Sequence, residues 1–87
     1  MKNCVSINLR KNEIVIKLDE NSEQMELIGA LRRKLPELKN LYKDEKTPIK
    51  VTGKVLKNKE IDEIQSLIKS KIDVEIEFDM PKTLGLH

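Results

Sequence analysis

Residues 49–78 read IKVTGKVLKNKEIDEIQSLIKSKIDVEIEF, and the hydrophobic period changes twice within these 30 residues. Ile49 and Val51 alternate with Lys50 and Thr52, the period-2 pattern of a strand with one buried face, and Gly53 ends the run. Ile61, Ile64, Leu67 and Ile68 then recur at helical spacing. Asn58 stands where an N-cap is expected, Glu60, Asp62 and Glu63 fall in the first turn and Lys69 and Lys71 in the last, so each charge sits at the end of the helix dipole that favours it. Ile72, Val74, Ile76 and Phe78 next alternate with Asp73, Glu75, Glu77 and Asp79, which predicts a strand over 72–78 with a wholly acidic outer face. A strand, a helix and a second strand in this order form a crossover joining parallel neighbours.

The upstream half repeats the theme. Val5, Ile7 and Leu9 alternate with polar residues, and Ile14, Ile16 and Leu18 alternate with Val15 and Lys17. The intervening Arg10-Lys11-Asn12-Glu13 is short enough for a hairpin turn, with a basic, exposed tip. Acids and cap residues from Asp19 to Gln24 then open a helix whose expected buried stripe is Met25, Ile28, Leu31 and Leu35, with Leu27 beside it. Arg32, Arg33 and Lys34 are placed in its last turn and Pro36 at its end. Gly29 marks either a close approach to the sheet or a tolerated helix glycine. Residues 36–48, with Leu38, Leu41 and Tyr42 as isolated anchors, suit a surface loop or a short extra turn of helix.

The expected fold is therefore α/β: a two-layer β-β-α-β-α-β domain, with a mixed four-stranded sheet and both helices on one face. Strict alternation in the strands implies that the other face is open, because a sheet covered on both sides shows continuous apolar runs. If the strands follow chain order, Lys17, Lys50 and Thr52 lie toward one side of that face and the acids of the last strand toward the other, a gradient of charge. The same charges also guard against edge-to-edge aggregation.

Eighty-seven residues leave room for one core. Lys and Arg number 17 against 15 Asp and Glu, a balance that does not by itself imply a polyanionic partner. Lysines at 43, 46, 50, 54, 57 and 59 are close in sequence, yet Tyr42 and Phe78 are the only aromatic residues. Single-strand nucleic-acid binders on small sheets need stacking platforms, so nucleic acid is not the expected partner. Cys4 is the one cysteine, which excludes an internal disulfide and fits a reducing cytoplasm. No continuous apolar segment resembles a signal peptide or membrane span.

Catalytic groups are equally sparse. His87 is the only histidine and stands last, so no Ser-His or Cys-His pair is expected, and no metal or cofactor site either. The acids at 60, 62 and 63 are accounted for by helix-start electrostatics. Gly53-Lys54 follows a strand and precedes a helix, but without the flanking glycines of a phosphate loop it reads as a turn. The expected activity is thus that of a protein-interaction module and not an enzyme. Val15 on the open face and the unpaired edge strand also offer surfaces through which two copies could associate.

The segment Ile49-Lys50-Val51-Thr52-Gly53-Lys54-Val55-Leu56, followed by Glu60, Ile64, Leu67, Ile68 and the strand at 72–78, resembles the N-terminal domain of the bacterial septum-site-determining protein MinC, and the hairpin at 5–18 fits too. The resemblance implies a cell-division inhibitor domain over residues 1–80 that binds FtsZ and antagonises its polymer assembly. Residues 81–87 would begin a linker toward the family's C-terminal domain, which dimerises and binds MinD, so membrane recruitment would be indirect. Family contacts with FtsZ around the first hairpin, at a basic residue followed by glycine in some members, map onto Arg10, with Lys11 in place of the glycine. Arg10, Lys11 and Lys17 are accordingly the expected partner-binding residues. The element order also resembles anti-sigma-factor antagonist domains of the SpoIIAA type, but their phosphorylated serine has no counterpart in Lys57-Asn58-Lys59-Glu60.

Overall fold

The structure is a computed structural model that describes residues 4–10, 13–42 and 47–79. In chain order it contains β1 (Val5–Arg10), β2 (Glu13–Leu18), α1 (Gln24–Leu41), β3 (Ile49–Thr52), α2 (Asn58–Lys69) and β4 (Ile76–Asp79). The strands form one four-stranded sheet in the order β1-β2-β3-β4. β1 is antiparallel to β2, while β2, β3 and β4 run parallel. Lys11 and Asn12, the tip of the expected hairpin turn, lie outside the described residues.

One face of the sheet carries the core. Val5, Ile14, Ile16, Leu18, Ile49 and Val51 are buried on it, in a single cluster with Leu27, Leu31, Leu35 and Leu38 of α1 and Ile64 and Ile68 of α2. Both helices therefore cover that face, and the two-layer α/β arrangement follows from the alternation in the strands. Leu9 shares the inward parity but is 58% exposed, because it is near the end of the edge strand, past the reach of the helices.

Each helix starts on a glutamate that reaches back one turn. Glu26 Oε1 accepts the Glu23 N–H at 2.9 Å and Glu60 Oε1 accepts the Lys57 N–H at 2.9 Å. Lys57 rather than Asn58 is thus the N-cap of α2, since the position of Glu60 decides which amide is capped. Before α1, Asp19 closes a side-chain turn: its Oδ2 accepts the Ser22 hydroxyl at 2.8 Å and its backbone carbonyl accepts the Ser22 N–H at 3.1 Å. Lys54 Nζ, from the turn after β3, donates to the Ser22 carbonyl and ties the two turns together.

Three sequence expectations need correction. α1 does not stop at Pro36 but continues to Leu41, where the Tyr42 N–H donates to the Leu38 carbonyl at 3.0 Å. Proline in a helix costs about 3 kcal/mol, and full burial of Leu38 together with packing of Leu41 and Tyr42 against the core offsets it, at about 1.5–3 kcal/mol for a leucine. The longer helix also turns its buried stripe to Leu27, Leu31, Leu35 and Leu38, leaving Ile28 at the margin and Met25 83% exposed. Arg32, Arg33 and Lys34 consequently lie mid-helix, away from the last turn.

The last strand is shorter than its alternation suggests. Ile72 and Val74 are buried as expected, but only residues 76–79 pair, because Ile76 is the register partner of Ile49, the first residue of β3. Residues 72–75 run past the start of β3 and, among the described residues, have no strand beside them. Alternation there reports burial and not a ladder.

The two internal glycines differ sharply. Gly53 has φ +105°, and a Cβ there would sit 2.3 Å from the Leu18 carbonyl oxygen. The turn after β3 thus crosses the end of β2 at a distance that only glycine permits. At Gly29 the nearest atom to an added Cβ is the Arg33 guanidinium at 4.0 Å, so the glycine is a tolerated one with no close approach to the sheet. Gly29→Ala should raise stability by about 1 kcal/mol and Gly53→Ala should lower it by about 2 kcal/mol or more, both read from urea denaturation midpoints. Leu38→Ala should cost about 2–5 kcal/mol in the same assay; a loss well under 1 kcal/mol would contradict packing of the helix beyond Pro36.

Candidate protein-interaction site

Ladder register decides which charges meet on the open face. The β1–β2 pairs are Ser6 with Lys17, Asn8 with Val15 and Arg10 with Glu13; across the parallel pairs, Lys50 faces Val15 and Glu77, and Thr52 faces Lys17 and Asp79. Arg10 and Lys17 are both exposed on this face. They do not form one patch: Arg10 is at the turn end of the hairpin, while Lys17 stands beside Ser6, about 13 Å back along the strand at ~3.3 Å per residue. The expectation of a joint basic tip is corrected on this point for Lys17. Lys11 falls outside the described residues.

Glu13 was not singled out from the sequence, although it shapes the site. It is Arg10's partner in register, and its Oε1 lies 3.9 Å from Lys50 Nζ, both side chains being partly buried. Glu77 faces Lys50 from β4, so Lys50 has an acid on either side, Glu13 diagonally on β2 and Glu77 opposite in register. With the strands in chain order, Lys17, Lys50 and Thr52 stand on β2 and β3 and the acids Glu77 and Asp79 on β4, in the sense of the expected gradient, with Glu13 as an added acid on β2. Of the expected acids, Asp73 and Glu75 leave the sheet altogether, and Glu75 lies 3.9 Å from Lys69. Such surface pairs contribute at most about 1 kcal/mol, so they set a pattern of recognition more than they stabilise the fold.

Next to the row Asn8, Val15, Lys50, Glu77 stands the row Ser6, Lys17, Thr52, Asp79. Here a hydroxyl flanks the lysine on either side, and the nearest acid in the row is two strands away. Among the described residues neither Arg10 nor Lys17 is in an ion pair. Lys17 is the less neutralised of the two cations and has the greater capacity to meet an incoming carboxylate.

Among the described residues no group of three His, Cys, Asp or Glu side chains is placed to hold a metal ion, and Cys4, half-buried beside the start of β1, has no histidine near it in sequence. α2 starts with Asn58-Lys59-Glu60, which presents no hydroxyl for phosphorylation. Among the described residues no helix is long and apolar enough to cross a membrane. No protein-family model matches the chain, and neither a curated protein nor a solved structure matches it at a significant level.

Proposed function

We propose that this domain acts by binding another protein through the open face of its sheet and the adjoining edge strand, and that it is a division-inhibitor domain of the MinC N-terminal kind whose partner is FtsZ. The supporting observation is the exposure of Arg10 and Lys17 on a helix-free sheet face, at the β1 edge where backbone groups are also available to a partner. Two lysine or arginine side chains on a rigid ladder can meet a fixed pair of acids with little ordering cost, which suits specificity and association rate. In this reading the domain binds FtsZ and weakens its lateral or longitudinal contacts without consuming a substrate.

Pelleting of FtsZ polymers in GTP, with rising amounts of the domain, tests the reading. The parent domain should reduce pelleted polymer. Arg10→Glu combined with Lys17→Glu should require about tenfold more protein for the same effect, as expected from reversing two exposed charges at an interface. Both side chains are exposed, so the circular dichroism spectrum should stay unchanged, and the urea midpoint should fall only slightly, since Arg10→Glu sets like charges opposite Glu13. Full polymer recovery in the presence of excess parent domain would reject FtsZ as the target; equal potency of parent and variant would reject this face.

A further inference from the structure

On the helix layer, opposite the open face, the second half of α1 and the segment after α2 enclose a groove of about 290 Å³ lined by Arg32, Leu35, Pro36, Lys39 and Lys71. Leu35 and Pro36 supply an apolar floor. Among the described residues, the three ionisable side chains around it are all cations and no acid lines it. Among the described residues none of the three is in an ion pair.

Two features of α1 make this more than a solvated helix surface. Its continuation to Leu41 leaves Arg32 more than two turns from the C-terminus, too far for the helix dipole to account for a cation there, since that effect fades within the last turn. Pro36 has no N–H to give the Arg32 carbonyl, so the helix leaves an acceptor without its usual partner beside the apolar floor. The groove therefore combines like charges that repel one another with an apolar surface.

We propose that this groove is a docking site for an acidic peptide segment of a partner protein, with an apolar side chain seated on Leu35 and Pro36 and carboxylates meeting Arg32, Lys39 and Lys71. Charge favours an acidic segment, because the three cations ring an apolar floor that can seat a side chain. Nucleic acid is the poorer match: no aromatic side chain lines the groove for a base to stack on. The site is on the other layer from Arg10 and Lys17 and does not depend on FtsZ being the partner.

The test uses the full chain, isotopically labelled, with a short fluorescein-labelled peptide of two leucines set among glutamates as the probe. Fluorescence anisotropy should show saturable binding that weakens with salt, and amide resonances of residues 32–35, 37–39 and 71 should shift while those of Arg10 and Lys17 do not. Arg32→Glu with Lys39→Glu should weaken binding about tenfold or more, both positions being exposed and the urea midpoint therefore serving as a folding control. A peptide with serine in place of leucine should bind several-fold more weakly. Equal binding of the serine peptide, tighter binding of single-stranded oligonucleotide at the same amides, or no peptide binding at all would each overturn the proposal.

Discussion

The two-sided pairing of β3 is the constraint on which the rest of the domain depends. This strand has four residues, and it is hydrogen-bonded to β2 on one side and β4 on the other. Ile49 and Val51 point into the core, so a slip of one residue would expose both and bury Lys50 and Thr52. The register is thereby locked at Ile14, Ile49 and Ile76, and with it the positions of Glu13, Lys50 and Glu77 on the other face. Length matters as much as register. A four-residue centre can pair only four residues of β4, so the segment after α2 travels beside the core before it joins the sheet.

Both ends of β3 are secured by contacts that the core alone would not provide. At its start the Ile14 N–H donates to the Pro48 carbonyl at 2.9 Å, extending the parallel ladder by one step. At its end Gly53 turns the chain close against Leu18, and the next residue, Lys54, holds the Ser22 carbonyl. Gln24 adds a tie between the helices, its Nε2 donating to the Glu63 carboxylate at 2.9 Å and to the Glu60 carbonyl at 3.3 Å. Turns that precede both helices are thus bound to each other at the carboxyl end of the parallel strands, which keeps the helix layer in place and leaves the opposite face of the sheet uncovered.

Element order, sheet composition and the open face could be read from the sequence because each rests on a local period that burial enforces. Ile14, Ile16 and Leu18 alternate because one face of β2 meets the helices, and they are buried accordingly. What could not be read depended on partners distant in sequence. Pro36 is a stop signal in isolation and becomes tolerable only because Leu38 finds a buried place in the core. Alternation at 72–75 resembles a strand, yet pairing needs a neighbour of sufficient length. At the candidate site, the exposure of Arg10 and Lys17 was legible, while their separation and the presence of Glu13 between Arg10 and Lys50 required the register.

The two layers solve opposite electrostatic problems. On the sheet, Lys50 has Glu13 diagonally beside it and Glu77 opposite, so these charges compensate one another and any partner must match a pattern. On the helix layer, Arg32, Lys39 and Lys71 surround an apolar floor with no acid among the described lining residues, which leaves them open to solvent ions or a ligand. A chain with nearly balanced totals of acid and base has therefore distributed them unevenly, neutralising one face internally and leaving a groove on the other uncompensated. That asymmetry is invisible in the net charge. It follows from two structural facts: the diagonal contact that brings Glu13 to Lys50, and the passage of α1 through Pro36 that carries Arg32 away from the helix end.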